Sequence, residues 1–419
     1  MHKKLLAMIL ACAMVIGLAS CGKSVDNAGS ATSTPAASTA AEPAADGAMK
    51  VGFVYIGDDS EAYTANFIAA EKAIKETYGD KVETIAKYNV AEDAVEDPLV
   101  ELCEAGCKVI FTTSFGYGEK AKELAAQYPD IQFCQATCAN ADKDTANYHT
   151  YMGAIYQGRY VAGIVAGMKM KELIDAGTIT ADKAKIGYVA AYPYAEVKSG
   201  YTSWFLGVRS IVPNVVMKVK FTNEWYSMEK ELNTANYLIS EQHCAIISQH
   251  ADSMGAPNAC EAAEVPNVSY NGSTAASCPK TFIVSSRINW QPYFELMIDA
   301  VTGGKALPTD WTGNISTGSV VLTELGAAAA ANTQAKIDEV KAKLLNGSLK
   351  VFDLSTFTVN GAALVDNFMA NVNDDAAFTP DTVVIKTTES GIKYFAESEF
   401  RSAPYFEVDI DGITIIANN

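Results

Sequence analysis

Aromatic and polar side chains recur in this chain directly after short apolar runs. That placement suits a site that stacks a planar ligand and hydrogen-bonds its edge. Tyr63 follows the first such run, and Ser114-Phe115-Gly116-Tyr117 follows the third. Tyr192-Pro193-Tyr194-Ala195-Glu196, Glu224-Trp225-Tyr226 and Gln249-His250-Ala251-Asp252-Ser253 come after three later runs. Asn289-Trp290-Gln291-Pro292-Tyr293 follows a further one. A purine offers two π faces and a polar edge, and stacking on an aromatic ring contributes ~1–3 kcal/mol per face. Trp225 and Phe115 are the expected stacking rings, with Tyr63 and Trp290 as further candidates. Asp252 can accept from a ring N–H or an exocyclic amine, and His250 can donate or accept according to its tautomer. A competing reading makes Asp252 only the N-cap of a helix beginning near Ser253. Taken singly, each residue also reads as lobe packing or a helix cap. Their recurrence at six strand ends argues for a shared cleft.

Other chemistries find less support. Gly116-Tyr117-Gly118-Glu119-Lys120-Ala121 mimics a dinucleotide fingerprint, but it sits in the third unit of its series instead of opening the fold. No nucleophile elbow, phosphate loop or zinc-protease motif occurs. The four histidines, His2, His149, His243 and His250, are scattered, which leaves little for a metal site. The pairs Asp58-Asp59 and Asp374-Asp375 lie in turn-like sequence, where local capping explains them. A net charge of −17, from 49 acidic and 32 basic residues, argues against nucleic acid as a partner. No enzyme activity, cofactor or metal is expected.

The elements that must position these residues alternate. Apolar runs predict strands over 49–56, 82–88, 108–113 and 131–136, separated by helical periodicity around Tyr63, Phe67, Ala70 and Ile74, and over 99–104 and 119–127. A helix lined with small residues is expected over 155–170. A second series follows, with strands over 185–190, 215–221, 245–248 and 280–284, and helices over 197–211, 228–240, 253–263 and 293–301. This alternation predicts an α/β fold of two doubly wound parallel-sheet lobes joined by a hinge, with ligand bound beyond the carboxyl ends of the strands. The expected N-terminal lobe is 49–154 plus about 285–316, and the C-terminal lobe is 155–284 plus about 317–354. A helix over 334–345 precedes a β-rich appendage over 355–419, where Ser390-Gly391 and Asp411-Gly412 resemble hairpin turns.

His2, Lys3 and Lys4 precede an apolar run from Leu5 to Ala19, too short to span a bilayer and suited to a signal peptide over 1–20. Leu18-Ala19-Ser20-Cys21 looks like a lipobox, so Cys21 is the expected lipidation site. Residues 21–48, rich in Ala, Ser, Thr and Pro, read as a flexible tether. The expected location is the extracytoplasmic face of a bacterial cell membrane. Seven cysteines follow Cys21, an odd number that cannot all pair within one chain. Cys103/Cys107 and Cys134/Cys138 have suggestive spacing, but geometry decides bonding.

The segments VGFVYIGDDSEAYT, TTSFGYGEKA, AIYQGRYVAGIVAG, YPYAEV and SQHADS resemble the basic membrane protein family over roughly residues 49–355. The resemblance implies a type I periplasmic-binding-protein-like fold and a substrate-binding lipoprotein of an ABC importer, acting as a monomer with membrane permease subunits. It implies a purine base or nucleoside as ligand. TTSFG, NEWYS, SQHADS and INWQPYF are especially similar to an adenine-binding branch. The nucleoside branch carries an acidic residue that clasps ribose hydroxyls, and Asn271-Gly272-Ser273 occupies the corresponding region here. With this family in view, the expected ligand contacts are Tyr63, Ser114, Phe115, Tyr156, Glu196, Trp225, His250, Asp252 and Trp290. A ligand-presenting sensor of the same fold, and an exported nucleoside hydrolase, are the alternatives.

Overall fold

The computed structural model describes residues 47–372, 378–380 and 382–417. The signal segment, the tether with Cys21 and the pair Asp374-Asp375 fall outside that range. The chain opens with β1 (Met49–Val54), α1 (Ala62–Tyr78), β2 (Val82–Lys87), α2 (Glu96–Glu104), β3 (Val109–Thr112), α3 (Gly118–Gln127), β4 (Gln132–Ala136) and β5 (Tyr148–Gly153). It continues through α4 (Ile155–Asp175), β6 (Lys185–Ala190), α5 (Ala195–Ile211), β7 (Val216–Phe221), α6 (Met228–Ser240), β8 (Ile246–His250), α7 (Gly255–Ala263), β9 (Asn267–Tyr270) and β10 (Phe282–Ile288). Then come α8 (Gln291–Thr302), β11 (Asp310–Gly313), β12 (Val320–Leu322) and α9 (Thr333–Leu345). The remainder holds only short strands: β13 (Met369–Ala370), β14 (Thr382–Val383), β15 (Ile385–Thr387), β16 (Lys393–Phe395) and β17 (Ile413–Ile416).

Two sheets organise these elements. The first runs β11-β5-β4-β3-β1-β2, and every pairing in it is parallel. Side chains alternate across a strand, so its two faces feed different cores. Val51 and Phe53 of β1 pack with Phe67 and Phe294 on one face, while Val54 packs with Leu99 and Leu124 on the other. The second sheet runs β12-β10-β9-β8-β6-β7-β17, parallel except for β12 against β10. Tyr188 of β6 faces Tyr201 and Trp204 of α5, while Val189 turns to Leu238 and Ala256 under α6 and α7. Both sheets are covered on both faces, as the near-continuous apolar runs require.

The chain passes between the sheets after β5, after β10 and after β11. β10 stays with the second sheet as far as Ile288, so that crossing comes later than the position near 285 expected from the sequence. β5, β9, β11 and β12 were not expected. β5 carries Tyr148, His149 and Thr150, polar groups whose burial is met by partners. His149 contacts Pro308 O and Gln132 Oε1, each at 2.8 Å, and Thr150 Oγ1 donates to Asp310 Oδ1 at 2.6 Å.

The C-terminal segment is mostly irregular chain. Val384, Phe395, Tyr405 and Phe406 join the same core as Trp204 and Val208, and Phe406 stacks on Phe352 at 4.2 Å. It also reaches the first sheet, where Ser402 N donates to Asp310 Oδ2 at 2.6 Å. The Ser390-Gly391 turn joins antiparallel β15 and β16, as the hairpin expectation required. Asp411-Gly412 does not make a hairpin: it delivers β17 parallel to β7. None of the seven cysteines after Cys21 is in a disulfide, and all are buried. Burial pushes the Cys103 and Cys107 thiols up to about 11.

α4 and α5 touch backbone to backbone. A Cβ at Gly163 would lie 2.2 Å from Trp204 O, and one at Gly207 would lie 2.3 Å from Tyr160 O. Gly163→Ala therefore forces the helices apart, an overpacking change that costs ~1–3 kcal/mol. Urea denaturation should show a lower midpoint with an unchanged slope. An unaltered midpoint would mean the contact yields freely.

Candidate functional site

The second lobe supplies most of the site from the carboxyl ends of β6, β7, β8 and β9. Tyr192 and Tyr194, after β6, stack at 5.2 Å and 15°. Trp225, after β7, meets Tyr192 edge-on at 5.3 Å and is 37% exposed. Trp225 O accepts from Asp252 N at 2.8 Å, which ties the β7 and β8 loops together. His250 ends β8 and is 2% exposed, with Tyr270 at 4.5 Å and Trp225 at 6.4 Å between ring centroids. Its Nε2 stands 3.4 Å from Glu196 Oε1. Only a glycine on α5 leaves room for this ring, since a Cβ at Gly200 would lie 2.8 Å from His250 Nδ1. Burial pushes the His250 pKa down, Glu196 opposes it, and the nearby Arg159 charge lowers it further. The imidazole is neutral at pH 7.

Arg159 of α4 lies wholly buried beneath these groups. Its guanidinium carbon sits 3.6 Å from the centre of the Tyr270 ring, and NH1 donates to Gln249 O at 2.8 Å. The cation thus holds both the ring packed on His250 and the backbone just before it. Asp252 Oδ1 accepts from Asn271 Nδ2 at 3.1 Å. Asp252 is not the helix cap, because α7 starts at Gly255 and Gly255 N donates to Ser253 Oγ at 3.0 Å. Desolvation holds the Asp252 carboxyl well above the usual carboxylate range; Glu61, Glu231 and Glu196 push the same way, and the Asn271 hydrogen bond opposes them.

The first lobe meets this cluster through the start of α1. Tyr63 donates to Thr113 O at 2.5 Å, and its ring stands edge-on to Phe67. Burial suppresses its ionisation, Thr137 opposes, and Glu196 and Asp252 of the other lobe add to the suppression. Asn66 Nδ2 donates to Asn271 O at 2.9 Å, and Arg287 NH1 donates to Asn66 Oδ1 at 3.3 Å. The lobes are therefore in direct contact across the cleft.

The structure brings Tyr63, Glu196, Trp225, His250 and Asp252 to one place. Of the other candidates, Trp290 and Tyr156 turn away, while Ser114 and Phe115 directly follow Thr113, whose carbonyl accepts from Tyr63. Ser114 Oγ and Gly116 N both donate to Glu92 Oε1, at 2.6 and 2.8 Å, so a carboxylate occupies the amide that a phosphate-binding turn would offer. Phe115 is 60% exposed and has no ring neighbour among the described residues. Trp290 is not in the cleft: it is buried in the first-lobe core, stacked on Phe67 at 4.5 Å, because α8 packs along α1. Tyr156 turns to the C-terminal segment, with Phe352 at 5.2 Å and its hydroxyl 3.4 Å from Glu397 O. Arg159, Tyr270 and Asn66 were missed, and Asn271 was noted only for standing in the region of the nucleoside branch's ribose-clasping acid. For Arg159 the signal was a single cation inside the small apolar run AIYQGRYVAGIVAG. Among the described residues no group of His, Cys, Asp or Glu is placed to hold a metal ion.

The sequence model of the Bmp family, described as ABC transporter substrate-binding protein PnrA-like, matches residues 51–355. The chain belongs to this family. A purine-binding protein of Brucella abortus is 34% identical over 258 residues, 61% of this chain and 69% of that one. A putative ABC transporter glucose-binding protein of Haloferax volcanii is 30% identical over 69% of this chain and 70% of its own. An ABC transporter solute-binding protein of Aeropyrum pernix has the same fold, with a TM-score of 0.61 at 16% identity over 73% of this chain and 93% of its own. Bmp proteins bind a small molecule outside the cytoplasm and serve a membrane permease; they are not enzymes. No helix among the described residues is long and apolar enough to cross a membrane.

Asp252 allows a test of the closed cleft. A carboxyl whose folded pKa is raised binds more protons folded than unfolded, so its stability contribution is complete below about 3.9 and falls as pH rises through the folded value. Asp252→Asn removes that loss. The variant's apo melting temperature should gain on wild type steadily from pH 5 to pH 8. A constant difference across that range would place Asp252 in water.

Proposed function

We propose that this protein captures a purine base, adenine-like in its edge, between the two lobes and presents it to an ABC permease while tethered by a lipid on Cys21. The observation that carries this reading is the group formed by His250, Asp252, Asn271 and Glu196 beside Trp225 and Tyr270, with Tyr63 arriving from the other lobe. A protonated Asp252 presents one donor and one acceptor side by side. That pattern suits an adenine edge, where a ring nitrogen accepts and the exocyclic amine donates, as a carboxamide does. The His250 ring turns Nδ1 to Gly200 and Nε2 to Glu196, both on α5, and packs beside Tyr270 and Trp225. The aromatic rings supply the stacking faces. The similarity to a purine-binding protein supports this reading; the similarity to a glucose-binding protein makes a hexose the competitor to test against.

Calorimetry on the purified protein should give micromolar or tighter affinity for adenine and no saturable heat with glucose. Micromolar affinity corresponds to about −8 kcal/mol. Trp225→Ala should weaken adenine binding by roughly tenfold or more, in line with the ~1–3 kcal/mol of one stacking face. Tight glucose binding with adenine silent would sink the reading. Separately, Cys21→Ser should shift the protein from washed membranes to the soluble fraction, since a lipid chain is the proposed anchor. Persistence in the membranes would remove Cys21 from that role.

A further inference from the structure

Glu231 of α6 is wholly buried, and its carboxylate joins two loops. Its Oε1 accepts from Ser227 N at 3.0 Å and from Ser253 N at 3.1 Å, while Oε2 accepts from Ser253 N at 3.2 Å. Ser227 ends the loop after β7, two residues beyond Trp225, and Ser253 directly follows Asp252 after β8. A carboxylate that only capped α6 would need no more than the amides at the start of that helix. This one also takes an amide from a loop 22 residues further on. Burying a carboxylate is costly unless donors meet it, and these donors are backbone groups, so holding the carboxylate fixes the course of both loops. Burial pushes the Glu231 pKa up, and the Ser227 amide with the Ser253 hydroxyl and amide oppose. The loops meet at two further points. Trp225 O accepts from Asp252 N at 2.8 Å, and Gly255 lies so near α6 that a Cβ there would stand 2.5 Å from Met228 O.

We propose that Glu231 is a positioning residue for ligand capture: by bonding the loops after β7 and β8 to one carboxylate, it presets the Trp225 ring and the Asp252 side chain at the spacing the ligand requires. The inference rests on the reading of Trp225 and Asp252 as purine contacts. Glu231 itself touches no ligand. Without its carboxylate the two loops loosen and must be reassembled when the ligand arrives, and that ordering subtracts from affinity. Glu231→Gln is nearly isosteric, yet Ser253 N lies against both oxygens, so either orientation of the amide turns an NH2 group onto that N–H. Glu231→Asp keeps the charge but withdraws it by one methylene.

The test uses the full chain and two readouts. In ligand-free protein, amide hydrogen exchange in the segments 223–228 and 251–255 should run about tenfold faster or more in Glu231→Gln, with β6 unchanged. Calorimetry should show adenine bound about tenfold more weakly by the same variant. When Trp225→Ala is already present, Glu231→Gln should weaken adenine by less than about threefold, because part of what Glu231 positions is gone. A carboxylate that served folding alone would give losses that add. Glu231→Asp should change both readouts in the same direction to a smaller extent, and it carries the comparison should Glu231→Gln fail to fold. Unchanged exchange in both segments, wild-type adenine affinity in the Glu231 variants, or additive losses in the double variant would each overturn the proposal. Should wild-type protein leave adenine silent, the purine reading falls, and the exchange measurement decides the role of Glu231 by itself.

Discussion

A parallel sheet delivers all its strand ends to one edge, and the remaining architecture depends on two such edges being held face to face. The chain crosses from sheet to sheet three times, and each crossing leaves from the carboxyl end of a strand: β5, β10 and β11. Loops after β6, β7, β8 and β9 therefore have nowhere to go but toward the loops of the other lobe. The position of Glu196, Trp225, His250, Asp252 and Asn271 follows from that geometry more than from any local motif. So does the arrival of Tyr63 and Asn66, since α1 begins where β1 ends.

Within this frame the second lobe carries an unusual electrostatic arrangement. Arg159 is removed from water, and its guanidinium meets the Gln249 carbonyl and the face of Tyr270. Burying a cation this way is costly unless its surroundings are polarisable and acidic. Desolvation, and after it the charges of Glu61, Glu231 and Glu196, push the Asp252 carboxyl well above the usual carboxylate range.

How far the sequence spoke for itself depended on whether burial and chemistry pointed the same way. Strands such as 49–54 and 185–190 were legible because both faces are covered and nearly every residue is apolar. β5 was not, because Tyr148, His149 and Thr150 are buried through hydrogen bonds that only the tertiary structure supplies. The strand-end rule located the cleft, but it could not say which way a ring turns. Trp225 stays at the cleft, whereas Trp290 turns into the core to stack on Phe67. Tyr156 was grouped with the ligand residues from its family segment, and the C-terminal segment that claims it lies far away in sequence. Arg159 is the reverse case: a residue type that normally seeks water, hidden by its apolar surroundings.

The pairing of β17 with β7 has a consequence beyond stability. Without it the strand Val216–Phe221 would present a row of unpaired amides and carbonyls along an outer margin of the second sheet. Such a margin templates the addition of strands from other molecules. By returning to lie there, β17 covers that margin, and the edge left outside it is only the four residues Ile413–Ile416, a shorter template for such addition.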